Sequence, residues 1–243
     1  MHTRFDRLYK IFICCIFILP VLITKGAEAK KGTVILAYHA VSDNITGIEE
    51  LFVSPYEFYK QIEYLYQNGY KPLHFDEIKD FQKYKKPVIV TFDDGYANNY
   101  HIAYPVLKKF NFKATIFMVA GYIDKPGYLS KAQIKEMMDI ISFQSHTLKH
   151  PELDKLSDKE LEKECITSKE ILEEITGQPV YALAYPYGCY NQKVIDIVSK
   201  YYKYAANTER GIYSGAVGDY EINRICISRS HKFNTFIRLL KAE

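Results

Sequence analysis

The sequence predicts one α/β domain, a distorted (β/α) barrel of about seven strand–helix units. Short β-rich runs alternate with helical patterns along residues 30–243, the order typical of a largely parallel sheet. No linker or low-complexity segment interrupts this order. Apolar residues make up 48% of the 243-residue chain, enough to bury one large core. The number of units favours a barrel over an open sheet.

The predicted strands and helices follow one another along the chain. The strands are TVILAY (33–38), PVIVTF (87–92), KATIFMVA (113–120), ISFQS (141–145), VYALAYP (180–186), YKYAANT (202–208) and EINRICIS (221–228). The helices cover 54–69, 100–110, a stretch from Ser130, 157–176, 191–201 and 233–240.

Capping signals define two of these helices best. The first predicted helix has Ser54 as N-cap, Pro55 at its first position and Gly69 as a stop. The longest begins after Ser157 and ends at Gly177. These local signals fix the two helices without any tertiary information.

Residues 1–29 read as a secretory signal. A basic stretch precedes the uncharged run IFICCIFILPVLI (11–23), and Ala27 and Ala29 fit a small-x-small cleavage site. The run is short for a bilayer, which needs about 20 apolar residues. We expect cleavage after Ala29, with an uncleaved anchor through residues 11–23 as the alternative. The protein is therefore expected to be secreted or at the cell surface, with peripheral membrane or cell-wall association as a further option.

Charge and cysteine content exclude some classes. The net charge is +3, and residues 1–29 supply most of it, so the rest lacks the basic face that nucleic acid needs. Beyond residue 29 the cysteines are Cys165, Cys189 and Cys226, an odd number without metal-type spacing. We expect free buried thiols and no disulfide framework.

Polar side chains follow four of the predicted strands. Asp93 and Asp94 follow PVIVTF, His146 and His150 follow ISFQS, His39 follows TVILAY, and a YPYG turn follows the strand near residue 183. The carboxyl ends of parallel strands lie on one face, where barrels carry their active sites. These groups should therefore meet.

The His146-Thr-Leu-Lys-His150 spacing allows two imidazoles on one helix face or a loop folded around one ion, and Pro151 disfavours the helix. Two histidines and a carboxylate suffice for a catalytic Zn²⁺. Alone, the pair could be two exposed loop histidines. With the aspartates upstream, one carboxylate could bind the cation while the other accepts a proton. Two carboxylate ligands, or a structural turn through Gly95, are the alternatives.

TFDDGY (91–96), SHTLKHP (145–151) and AYPYG (184–188), in this order, resemble the three leading motifs of the polysaccharide deacetylases, carbohydrate esterase family 4 with the NodB homology domain. The resemblance covers about residues 33–227. It implies a NodB-like barrel over residues 30–243 and metal-dependent removal of N-acetyl groups from an extracellular polysaccharide. LAYHAV (36–41) and the segment near residue 60 most resemble the branch acting on poly-β-1,6-N-acetylglucosamine. A peptidoglycan or chitin-like glycan is a further option, and a monomer is expected.

The resemblance also implies roles. Asp93 would be the general base, and Asp94, His146 and His150 would bind one divalent ion, Zn²⁺ first and Co²⁺ or Ni²⁺ as options. The backbone N–H of Tyr187, after Pro186, would help hold the oxyanion.

The general acid and the partner of the base depart from the family pattern. The late Leu-x-x-His motif that many members use as the acid is missing, which leaves His39 or His231, and the strand-end position favours His39. Where members often carry an arginine before the proline, this chain has Tyr185. Arg224 is the candidate to orient Asp93, or else a surface residue.

Tyrosine is abundant, with 22 residues and no tryptophan. Tyr185, Tyr187 and Tyr190 lie in or next to the third motif, and of these we expect Tyr187 to contact the sugar. Two other functions use the same features: a metal-dependent O-acetyl esterase on xylan-like glycans, and a catalytically silent carbohydrate-binding module. The second should have lost a ligand or the base, and neither is lost.

Overall fold

A curled parallel sheet dominates the computed structural model, which describes residues 32–241. The strands are β1 (Val34–Tyr38), β2 (Ala40–Val41), β3 (Phe52–Val53), β4 (Lys71–Leu73), β5 (Pro87–Phe92), β6 (Ala114–Met118), β7 (Ile141–Ser145), β8 (Ala182–Ala184), β9 (Tyr204–Ala206) and β10 (Ile225–Cys226). The α-helices are α1 (Pro55–Gln67), α2 (Tyr104–Lys109), α3 (Lys131–Met137), α4 (Asp158–Thr176), α5 (Gln192–Val198) and α6 (Phe233–Lys241).

The main sheet follows the order β10-β1-β5-β6-β7-β8-β9, and β4 joins it beside β5. All its strand pairs are parallel. Ala206 in β9 forms a bridge with Ile222, just before β10. The segment around Ile222 therefore partly closes the gap between β9 and β10, the two edges of the sheet. The predicted class, a distorted (β/α) barrel, is confirmed.

The short strands β2, β3 and β4 were not predicted from the sequence, and of these β4 is the one that joins the main sheet. It pairs with Pro87–Ile89 at the start of β5. The strand β6 pairs with the same edge of β5 further along, at Thr91 and Phe92. Its sequence, Lys-Pro-Leu, contains a proline, which is confined to strand edges and starts because it lacks an N–H. A three-residue strand with a central proline resembles a turn in the sequence, so the prediction missed it.

Residues on β1 show why both faces of the sheet are apolar. Leu36 packs in the outer core between the sheet and the helices, whereas its neighbour Ile35 packs in the inner core enclosed by the curled sheet. Phe75 and Phe117 fill the same inner core. Strands buried on both faces are continuous apolar runs, which makes PVIVTF recognisable from the sequence.

The predicted caps are present. Ser54 Oγ accepts the Glu57 N–H at 3.2 Å, and Pro55 is the first residue of α1. At the end of α4, Gly177 adopts a left-handed conformation, with φ of 64°. Both helices therefore lie within a residue or two of their predicted bounds.

The helix predicted over 100–110 divides in two. Asn99–Ala103 forms a π-helical turn, and α2 follows it. Pro105 lacks the N–H that an α-helix would donate to residue 101, which favours the wider turn.

The thiol prediction is correct for Cys165, which is buried, and wrong for Cys226, which is exposed; Cys189 is intermediate. Neighbouring residues of β10 face opposite sides, so Ile225 is buried and Cys226 is not. The expected signal segment, 1–29, lies outside the described residues. Between residues 32 and 241, no helix has the length and apolar character needed to cross a bilayer.

Candidate active site

The two aspartates that follow β5 lie in a tight turn. Asp94 and Gly95 both have left-handed backbones, with φ of 71° and 76°, and the Gly95 N–H donates to the Asp93 carbonyl at 2.9 Å. A Cβ on Gly95 would lie 2.4 Å from Met118 Sδ, so only glycine fits there. The turn sends the neighbouring carboxylates to different partners.

Asp93 forms a buried, two-point ion pair with Arg224. The guanidinium nitrogens Nη1 and Nη2 donate to Asp93 Oδ1 and Oδ2, each at 2.8 Å. Burial alone raises the pKa of Asp93, but the charge of Arg224 outweighs it and holds that pKa well below its usual range. Asp93 is therefore ionised and held in one position at neutral pH, and its partner is Arg224, the residue that the sequence analysis proposed.

Arg224 is itself held in place. Its Nε donates to the Asn207 carbonyl at 3.0 Å, and Nη1 also donates to Thr91 Oγ1 at 3.2 Å. Its side chain is fully buried, so the alternative of an exposed strand residue is wrong. The two guanidinium nitrogens that bind Asp93 position its carboxylate as well as neutralising it.

His146 and His150 lie on a loop rather than on one helix face. Thr147 and His150 have left-handed backbones, with φ of 69° and 62°. Thr147 Oγ1 accepts the His150 N–H at 2.9 Å, and Ser145 Oγ accepts the Thr147 N–H at 3.1 Å. These bonds fold the loop back and turn both imidazoles toward Asp94.

Glu164 on α4 braces this loop and was not predicted. One carboxylate oxygen, Oε2, accepts the N–H groups of Leu148 and Lys149, each at 2.8 Å. Glu164 is buried on the apolar face that Leu161 and Ser168 share. A glutamate on the buried side of an amphipathic helix is the sequence signal that could have revealed it.

Three ligand atoms meet beyond the strand ends. His146 Nε2 and His150 Nε2 lie 3.1 Å apart, and Asp94 Oδ1 lies 3.6 Å from the first and 3.5 Å from the second. The His146 Nδ1 lies 2.8 Å from the Ala184 carbonyl, which accepts its proton and leaves a lone pair on Nε2.

Burial and the nearby His146 lower the pKa of His150 to about 4, so this ring is neutral at pH 7. Two imidazoles and a carboxylate with converging donor atoms match the donor set of a divalent metal such as Zn²⁺. The residues present fit the divalent metal that the family resemblance implies.

His39 lines the same cleft as the aspartates and the two loop histidines. Asn99 Nδ2 donates to its backbone carbonyl at 2.8 Å, which fixes the end of β1. Burial lowers the pKa of His39, although the charges of Asp93 and Asp94 oppose that effect. His231 instead accepts the Ser228 N–H at Nδ1, at 3.1 Å, and among the described residues it is not part of the cleft lining.

The third motif forms the opposite wall of the cleft. Tyr187 has a left-handed backbone, with φ of 57°, and its ring meets His150 edge-on at 4.5 Å. Its exposed fraction is 64%, so the ring is open to a ligand. Pro186 and Tyr185 are buried, and Tyr185 stacks on Tyr190 at 4.7 Å.

The cleft has a volume of about 310 Å³. It also contains residues that the sequence did not nominate: Ile48, Glu50, Leu51, Thr208, Cys226, Ile227 and Ser228. They come from the connection after β2, from the segment after β9 and from β10 and the residues that follow it, and no local motif marks them.

Comparison with known proteins identifies the family of this chain. The polysaccharide deacetylase family model matches residues 81–205. YxkH of Bacillus subtilis is 35% identical over 217 residues, covering 85% of this chain and 76% of YxkH. The poly-β-1,6-N-acetyl-D-glucosamine N-deacetylase of Staphylococcus aureus is 29% identical over 204 residues, covering 74% of this chain and 69% of that protein.

Two solved structures share the fold. BC0361, a polysaccharide deacetylase from Bacillus cereus, has a TM-score of 0.81 at 39% identity, covering 86% of this chain and 69% of that one. The Streptococcus pyogenes deacetylase PplD, solved with acetate, has a TM-score of 0.81 at 32% identity, covering 86% and 98%.

A curled parallel sheet with a carboxylate and a metal-type triad at its carboxyl end defines a hydrolase of the NodB-like class. This chain belongs to the polysaccharide deacetylase family, as the sequence predicted, and it is a hydrolase of that family.

Proposed function

We propose that this protein is a metal-dependent hydrolase that removes N-acetyl groups from a cell-surface polysaccharide and releases acetate. One observation carries the proposal. The Asp94, His146 and His150 donors converge within 3.6 Å of one another, while Asp93 is held separately by Arg224. Two adjacent carboxylates thus have different environments: Asp94 lies with the two imidazoles, and Asp93 lies apart, paired with a guanidinium.

A divalent cation at Asp94, His146 and His150, Zn²⁺ first and Co²⁺ or Ni²⁺ next, would supply Lewis-acid polarisation of the acetyl carbonyl and a more acidic water. The role of the chain is to hold three ligands in place. The Ala184 carbonyl orients His146, and Glu164 fixes the loop that carries both histidines. Such supporting hydrogen bonds increase the affinity for the metal.

Asp93 is the general base in this proposal. Its ion pair with Arg224 keeps it ionised and aimed, so it can accept the proton of the attacking water. A carboxylate with so low a pKa is a weak base, and we expect its basicity to increase when substrate displaces the remaining solvent from the cleft.

His39 is the general acid. The bond between the acetyl carbon and nitrogen breaks only if the departing amine gains a proton, and a buried imidazole with a lowered pKa donates readily once protonated. The backbone N–H of Tyr187, in the turn after Pro186, donates to the oxyanion. Such a hydrogen bond stabilises the transition state by about 3 kcal/mol. The products are acetate and a free amine on the sugar.

Poly-β-1,6-N-acetylglucosamine is the favoured substrate, and a peptidoglycan or chitin-like glycan is the next. Support comes from the Staphylococcus aureus relative, whose name states that polymer. The exposed ring of Tyr187 offers a stacking face for a sugar. We further propose that residues 1–29 direct the protein out of the cytoplasm and that residues 30–243 form one catalytic domain, active as a monomer.

The test is acetate release from N-acetylglucosamine oligomers with β-1,6 and with β-1,4 linkages. Activity should vanish after chelation and return with Zn²⁺, Co²⁺ or Ni²⁺. Faster release from the β-1,6 series would support the substrate assignment. Folded protein that releases no acetate from either series with any metal would refute the proposal, and release only from O-acetylated xylan would indicate an esterase.

A further inference from the structure

A second groove lies at the opposite end of the sheet from the catalytic cleft. Its wall includes Tyr66, Tyr70, Lys71, Lys109, Phe110 and Asn111, and its volume is about 480 Å³. We call it the basic groove. Its residues lie just before β4 and β6 or at the start of β4, whereas the candidate active-site residues follow their strands. In a parallel sheet these positions mark opposite ends.

Within the described part of the chain, the lysines of the basic groove have no direct carboxylate partner; Lys109 Nζ donates to Tyr59 Oη at 2.7 Å, and Tyr59 in turn donates to Glu63 Oε1 at 3.1 Å. Lys71 and Lys109 are exposed, as is Lys86 at the rim, where it donates to the Asn68 carbonyl at 3.0 Å. Among residues 32–241, no carboxylate lies within ion-pair distance of any of the three. The groove therefore attracts anions.

The same groove presents aromatic faces. Tyr66 is 56% exposed, and its ring packs against Phe110 with centroids 5.2 Å apart. Lys109 lies 5.3 Å from the Phe110 ring, and Lys86 lies 5.5 Å from the Tyr70 ring. Interleaved rings and ammonium groups offer stacking surfaces for sugars beside binding positions for anionic substituents.

We propose that the basic groove binds an anionic glycan, represented in the test by a sugar polymer that carries phosphate groups. Exposed rings without charge would suit any neutral sugar, and lysines without rings would suit any anion. The combination selects a ligand with both features. Because the groove and the cleft lie at opposite ends of the barrel, the enzyme can bind one polymer while it deacetylates another. The amine product, being cationic, is repelled by the groove.

The test compares retention of the full chain on immobilised phosphomannan and on mannan, the same sugar without phosphate. We expect binding to phosphomannan alone, weakened by salt because the lysines are exposed. The variant K71E/K109E should bind at least about tenfold more weakly, since each cation at an anionic surface contributes roughly a factor of five. Tyr66→Ala should weaken binding about threefold, the loss of one stacking contact.

The matched control is K135E/K203E, which makes the same charge change at exposed lysines outside the groove. It should bind like the unchanged protein. Acetate release from short soluble oligomers should be equal in all variants, which shows that each variant is folded. If K71E/K109E misfolds, the charge-neutralising variant K71Q/K109Q takes its place.

Three results would overturn the proposal. The first is equal retention on mannan and phosphomannan. The second is an equal loss in the groove and control pairs, which would indicate net charge alone. The third is binding to phosphatidylglycerol vesicles that requires Lys71 and Lys109 without binding to phosphomannan, which would make the partner a lipid surface.

Discussion

Arg224 grips Asp93 with both terminal nitrogens, at 2.8 Å each, from a position 131 residues further along the chain. Neither side chain is accessible to solvent to any useful extent. An uncompensated charge at this depth would be costly, so each residue makes the burial of the other tolerable. The pair therefore links the stability of the fold to the proposed general base.

Replacing Arg224 with Met should destabilise the protein most at neutral pH. Removing one partner of a buried ion pair typically costs about 3–5 kcal/mol. The folded-state pKa of Asp93 lies below its unfolded value of about 3.9, so the pair stabilises above that pH and its contribution is lost as the pH falls. Urea unfolding at pH 7 and pH 3 should show a large loss at pH 7 and a smaller one at pH 3. Equal losses at both would show that the pair acts only through packing.

The two neighbouring aspartates should fail in different ways. Asp94→Asn should lower bound metal because it removes a ligand, whereas Asp93→Asn should keep the metal and lose turnover by about 10²–10⁴-fold, the usual contribution of a general base. Metal content by elemental analysis and acetate release are measured on the same samples. Similar metal loss in both variants would contradict the division of roles.

Glu164→Gln should loosen the metal site without contacting it. The amide still offers one acceptor, but a neutral oxygen holds the Leu148 and Lys149 N–H groups less strongly than a carboxylate does. Mutations of supporting residues cost about 10–100-fold in metal affinity. Zn²⁺ titration should show that loss, and excess Zn²⁺ should restore most turnover. Glu160→Gln on the exposed side of α4 is the control. A turnover defect that metal does not rescue would instead assign Glu164 a purely structural role.

His39→Gln should separate amides from esters. An amine leaves only when protonated, whereas an activated alcohol needs no acid, so acetamide cleavage should fall by about 10²–10⁴-fold and aryl acetate cleavage should change little. His231→Gln is the comparison, because His231 lies by the start of α6 and bonds to Ser228. If His231→Gln caused the larger amide defect, the acid would be misassigned.

Much of the fold was predictable because its signals are local. The buried strand before Asp93, the caps at Ser54 and Ser157 and the glycine at Gly177 each act within a few residues. The candidate ligands were predictable as well, since polar residues directly after apolar strands must lie at one end of a parallel sheet.

Other features depend on distant contacts. Glu164 was missed because its partners lie on a loop about fifteen residues away, and a helix with many charges hides one buried carboxylate. The exposure of Cys226 depends on where β10 sits against β1. The alternation of a two-residue strand is too short to indicate which side faces outward.

The pairing of β10 with β1 joins a late segment of the chain to its first strand. Arg224 comes immediately before β10, so it reaches Asp93 only when that pairing forms. A nascent chain emerging from the ribosome can thus assemble the β5 to β9 portion of the sheet while Asp93 still lacks the positive charge of Arg224. The closing of the sheet by β10 is then the folding step that gives Asp93 its fixed, ionised form.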